Sequence, residues 1–171
     1  MTAVAPLAPS PPDPNRTLIA LLDRLSHERR SATVVGCVEG HPTVRAEVQR
    51  GAIVYVAVAG GPYLSDRIVA DCDVTRDELA RAVQHCRLSG RRLGEQLLFE
   101  GKLTPRQLQQ ALRDHNRDQL QRSTMLGPDI VWDVFDQAQS FGEMFTYSLV
   151  ELCDERTPRR PAMLGDAAAN G

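Results

Sequence analysis

His85 and Cys86, with Cys72 upstream, are the side chains in this sequence whose types come nearest to holding a metal ion, yet their spacing matches no standard zinc pattern. His27, His41 and His115 stand apart from one another, each where a lone imidazole reads as a surface or helix-end residue rather than a general base. Asp71-Cys72-Asp73 lacks the alternating oxygen ligands of a calcium loop and reads as a helix end. The chain has no glycine-rich phosphate loop, GxSxG elbow or HExxH pair, so no metal and no catalytic residue is expected and the chain reads as a non-enzyme.

The remaining chemistry is charge. Twenty basic against 22 acidic residues give a net charge of -2, which argues against a nucleic-acid partner held by phosphate neutralisation. The distribution is uneven. Eight basic and four acidic residues fall between Arg87 and Arg122, whereas Asp129 to Glu155 holds seven acidic residues and no basic one. A basic surface centred on Arg91, Arg92, Arg113 and Arg117 is therefore a candidate docking site for a protein partner, or a counterpart for the acidic segment.

The elements that must position these groups follow from periodicity. At 171 residues and 42% hydrophobic composition the chain has material for one domain with a small insert. Leu18, Leu21, Leu22 and Leu25 repeat at helical spacing, with Asn15 or Thr17 available as a cap. ATVVGCV (32–38) reads as a strand ending at the Glu39-Gly40 turn, and alternation over 44–49 gives a second strand. Arg50-Gly51 then closes a hairpin onto AIVYVAVA (52–59). After a helical stretch, IVWDVFD and MFTYSLVEL return to strand-like text, although Trp132 and Phe135 also fit a short helix. The expected fold is α+β: a small antiparallel sheet with a leading helix and a helical insert. Its parts are a proline-rich arm (1–14), the α+β domain (15–62 and 123–154), the insert (63–122) and a loose tail (155–171). The longest apolar run, Ala52 to Ala59, is too short to span a bilayer and no export signal is legible, so a cytoplasmic protein with free thiols is expected.

The insert contains a duplication at an offset of 29 residues. Leu64 aligns with Leu93, Ile68 with Leu97, Thr75 with Thr104 and Leu79 with Leu108. Thr75-x-x-Glu78 and Thr104-x-x-Gln107 are both capping boxes, and Pro105 strengthens the second helix start. Each copy is thus predicted to be a short helix, a turn and a longer helix, with Leu79, Ala82, Val83 and Cys86, and then Leu108, Ala111 and Leu112, as buried stripes.

The second copy, RLGEQLLFEGKLTPRQLQQALRDH, resembles the MshEN domain of type II secretion and type IV pilus ATPases, in which two such motifs bind cyclic di-GMP. The resemblance implies a ligand site at Arg92, Leu93, Gly94, Leu98, Gly101, Leu112 and His115, with the glycines admitting a flat ligand and Arg92 stacking on a guanine. Copy one has Tyr63, Ser65 and Cys72 in place of Arg, Gly and Gly, which leaves half of a two-motif site and an expectation of weak or absent binding. The flanking helix, hairpin and closing strands are similar to the PATAN domain of bacterial response regulators. That resemblance implies a non-catalytic signalling adaptor linked to motility or pilus regulation, working through a protein partner. A cyclic di-GMP receptor is the alternative.

Overall fold

The computed structural model describes residues 17–136 and 145–154. The proline-rich arm and the tail named above lie outside these residues. Helix α1 (Leu18–His27) is followed by strands β1 (Ala32–Val38), β2 (His41–Gln49) and β3 (Ala52–Val58). Helices α2 (Leu64–Asp71), α3 (Arg76–Ser89), α4 (Leu93–Phe99) and α5 (Pro105–Ser123) follow, then β4 (Val131–Asp136) and α6 (Leu149–Cys153). The strands form one antiparallel sheet in the order β3-β2-β1-β4, so the chain is α+β with a leading helix, and the helical segment is inserted between β3 and β4, the two edge strands of that sheet.

Thr17 caps α1 by accepting the amide of Ala20 at 3.2 Å, and Leu18, Leu21, Leu22 and Leu25 are all buried. They meet Val34, Val44, Ala46, Val48 and Val56 from the inner face of the sheet. Burying a leucine fully stabilises by roughly 1.5–3 kcal/mol, so this stripe fixes α1 to the sheet.

Both tight hairpins use two residues at positive φ: Glu39 and Gly40 (50° and 79°) and Arg50 and Gly51 (49° and 81°). That is the turn whose twist matches antiparallel strands. The two glycines differ in surroundings. A Cβ at Gly40 meets nothing within 4 Å, whereas one at Gly51 lies 2.8 Å from the Ser26 carbonyl oxygen of α1. Gly40→Ala is therefore expected to cost about 1–2 kcal/mol, from backbone strain alone. Gly51→Ala is expected to cost about 1–3 kcal/mol more, because it also pushes the hairpin off α1. Denaturant midpoints of the two variants check the difference.

The 29-residue repeat is visible as structure. Ile68 and Leu97 are both fully buried, Val74 and Leu103 follow them into the same cluster, and Ala82 faces inward as Ala111 does. Both capping boxes form: Thr75 and Glu78 exchange bonds at 3.0 and 3.3 Å, Thr104 and Gln107 at 2.9 and 3.2 Å. Lys102, in the second copy, reaches Glu78 of the first at 2.6 Å. Together with Thr75 it holds the Glu78 carboxyl at about 2, well below the usual carboxylate range.

Two expectations are corrected. The described part of MFTYSLVEL, from Phe145 on, is not a strand: Tyr147 makes a single bridge to Ile53, and Leu149–Cys153 is helical. Ser148 accepts the amide of Glu151 at 3.1 Å, which starts a helix there, and Leu152 is buried beneath it. The stripe on α3 is also shallower than predicted, since Ala82 alone is fully buried while Leu79, Val83 and Cys86 are partly exposed. Trp132 and Phe135 lie on β4, not on a short helix. Gly36 of β1 allows this pairing, because a Cβ there would come within 2.6 Å of the Trp132 ring.

Candidate functional site

An edge strand leaves a row of unpaired backbone groups that must find partners. On β3 they find them in the side chains of α5. Asn116 accepts the Val56 amide at 2.9 Å and donates to the Val54 carbonyl at 3.1 Å. Gln119 accepts the Val58 amide at 2.9 Å and donates to the Pro62 carbonyl at 3.0 Å. His115 places Nε2 3.0 Å from the Val56 carbonyl, so that nitrogen carries the proton, and its ring stacks on Tyr55 at 5.2 Å. All three side chains are buried. The helical insert is thus fixed to the sheet through a polar ladder in place of a further strand.

His115 is consequently held in the interior, which corrects its reading as a surface residue, and it does not line the cavity described below. Burial lowers its pKa below the ordinary value of about 6.5, and the Arg67 guanidinium acts in the same direction against the Val56 bond and Asp118. The unfolded chain takes up this proton near pH 6.5 but the folded chain only at lower pH. Stability is therefore fully present above about pH 6.5 and is lost as pH falls below it. Urea unfolding at pH 7.5, 6.5 and 5.5 should show a declining midpoint, and His115→Gln should flatten that decline.

The starts of α2 and α4, equivalent under the repeat, come together beside the sheet. Tyr63, Leu64 and Ser65 from copy one and Arg92, Leu93 and Gly94 from copy two line one cavity of about 400 Å³. Its other walls include Glu47, Tyr55, Glu95, Leu108, Leu112 and Phe145. A Cβ at Gly94 would stand 2.9 Å from Leu108 Cδ2, so glycine lets α4 close onto α5. At each helix start the third residue's carboxylate turns back on the first amide, Asp66 to Tyr63 at 3.1 Å and Glu95 to Arg92 at 3.4 Å. These carboxylates, with Glu47, set negative charge where a phosphate would otherwise meet helix N-termini.

The cavity gathers Arg92, Leu93, Gly94 and Leu112 and leaves out the rest of the predicted set. Leu98 packs in the helical cluster, and Gly101 forms the turn after α4 at φ 66°. The predicted basic surface is likewise divided. Arg91 lies 4.1 Å over the Phe99 ring. Arg117 instead donates to the carbonyls of Leu152 (3.3 Å), Glu151 (3.4 Å) and Asp154 (3.2 Å), and Arg113 stands 3.6 Å from the Glu151 carboxylate. These two arginines secure α6, so the basic insert and the acidic closing segment meet within the chain.

Sequence reasoning missed Asn116, Gln119 and Tyr63. The signal for the first two was present: the apolar stripe Leu108, Ala111, Leu112 continues at helical spacing as His115, Asn116, Gln119 and Leu120, placing polar side chains on the buried face. Among the described residues no group of three or more His, Cys, Asp or Glu side chains is placed to hold a metal ion. His85 is engaged by Glu100 at 2.6 Å, and the four cysteines are free, with Cys72 buried and Cys153 exposed. No helix of the described residues is long and apolar enough to cross a membrane. No protein-family model, curated protein or solved structure matches the chain.

Proposed function

We propose that this chain is a non-catalytic adaptor module of bacterial signalling, in which the sheet is a scaffold and the first helical repeat is the surface offered to a protein partner. The observation that supports it most is the placement of α3. That helix packs mainly on α2 and α4, with no comparable face against the sheet. Its outer end carries Leu88 at 87% exposure, close in sequence to Arg91, which is stacked on the exposed Phe99. Arginine and aromatic side chains are enriched at protein interfaces, and an exposed leucine adds apolar area to such a surface. The resemblance to PATAN and MshEN domains points to motility or pilus regulation as the setting. The reading is tested by affinity capture from the native bacterium with wild-type chain and a Leu88→Asp/Arg91→Glu variant whose melting curve is unchanged. Loss of one specific protein in the variant is expected, and identical recovery contradicts the reading.

A cyclic di-GMP receptor is the second reading, favoured by the cavity that joins the starts of both repeats. With one arginine against Glu47 and Glu95 at its walls, weak or absent binding is expected in calorimetry. A submicromolar affinity abolished by Arg92→Ala would establish the receptor instead.

A further inference from the structure

The offset of 29 residues gives each position of the first repeat a counterpart in the second, and the two are not equally covered. In the second repeat the chain covers its own helix. Phe145 packs on the helical cluster and shares a cavity wall with Leu108 and Leu112, while the Tyr147 hydroxyl donates to the Gln109 carbonyl at 2.6 Å. The counterparts of Leu108, Gln109 and Leu112 are Leu79, Ala80 and Val83. These line a groove of about 720 Å³ between α2 and α3, together with Val69, and no described segment fills it. The difference shows in exposure: Leu108 is 2% exposed, whereas Leu79 is only partly buried. Such a volume is within the range of sites that accept a bulky side chain with its backbone.

We infer that the groove between α2 and α3 binds an extended segment of a partner protein, anchored by a phenylalanine or tyrosine seated on Leu79 and Val83 as Phe145 is seated on the second repeat. This rests on the adaptor reading and names its contact. Three observations specify the occupant. The repeat supplies the mode, an aromatic side chain on the helical face followed two residues later by a hydroxyl on a helix carbonyl. Arg76 and Arg87 at the groove, against Asp66, favour a segment carrying an acidic residue beside its anchor, as Glu143 stands beside Phe145 in the chain's own sequence. Residues 1–16 and 155–171 contain no aromatic residue, so neither terminal stretch provides the anchor.

The chain's own sequence around Phe145 and Tyr147, GEMFTYS (142–148), is the natural probe. A fluorescent peptide of that sequence should bind the full chain saturably, and the peptide with Phe→Ala should bind at least about tenfold more weakly, the loss expected of a truncated aromatic anchor. Ala80→Glu places a carboxylate in the groove from an exposed helical position and should weaken the parent peptide by a similar factor, with melting confirming the fold. Arg76→Glu, at a helix start where an acidic residue supports the helix, should weaken it by a smaller factor. No saturable binding up to about 1 mM, a weak range by ordinary affinity arithmetic, would overturn the inference. So would binding indifferent to Ala80→Glu, or a concentration-dependent dimer abolished by Ala80→Glu, which assigns the groove to a second copy. Failure of the peptide while the Leu88/Arg91 variant still loses its partner would remove this contact alone and leave the adaptor reading standing.

Discussion

Asn116→Ala is expected to lower the stability of the folded chain by about 2–6 kcal/mol, since it leaves two buried backbone groups without partners at about 1–3 kcal/mol each. The Val56 amide and the Val54 carbonyl both look to this one amide side chain, which is fully buried on α5. Replacement by leucine should be no better, because it fills the space but satisfies neither group. Asn116→Asp retains an acceptor for the Val56 amide yet sets a carboxylate against the Val54 carbonyl, so it too should be strongly destabilising. Gln119→Ala makes an informative comparison. It removes the partner of the Val58 amide, while Gly61, whose Cβ would stand 2.8 Å from the Gln119 amide oxygen, loses the neighbour that glycine accommodates. Urea midpoints at constant slope measure both variants, and a loss under about 0.5 kcal/mol for Asn116→Ala would show that the ladder does not hold the insert to the sheet.

Leu108→Ala carries the second large expectation, a loss of about 2–5 kcal/mol, because the side chain is 2% exposed and closes onto Gly94. Its counterpart in the first repeat supplies an internal control. Leu79 occupies the same position of the same motif but lies on the groove and is partly exposed. Leu79→Ala should therefore cost only about 1 kcal/mol, in keeping with the smaller apolar area it removes from contact. Equal losses at the two positions would mean that the first repeat is covered as fully as the second, and the groove would cease to be a binding surface.

Much of this arrangement was legible from residue types and spacing. The leucines of α1, the two positive-φ turns and the paired capping boxes each state a local geometry, and each geometry is found. What escaped was decided by tertiary partners. His115, Asn116 and Gln119 carry polar groups that read as exposed until an edge strand is placed beside them. Leu149–Cys153 has the β-branched and apolar texture of a strand, and only the Ser148-x-x-Glu151 signature, read as a helix start, tells otherwise. The candidate site was partly legible. The repeat alignment pointed to Arg92, Leu93 and Gly94, but not to the fact that Tyr63, Leu64 and Ser65 line the same cavity, nor that Arg113 and Arg117 are occupied with α6.

The claim that the first repeat is the partner-binding surface is tested most directly by site-specific photo-crosslinking in the native cell. A photoreactive residue at Leu88 or Ala80 on α3 and one at Val131 on β4 all occupy exposed positions, so each leaves the fold intact. The account predicts that the two α3 positions label the same protein and that the β4 position does not. Labelling from β4 with none from α3 would contradict it, and would move the interface to the open edge of the sheet.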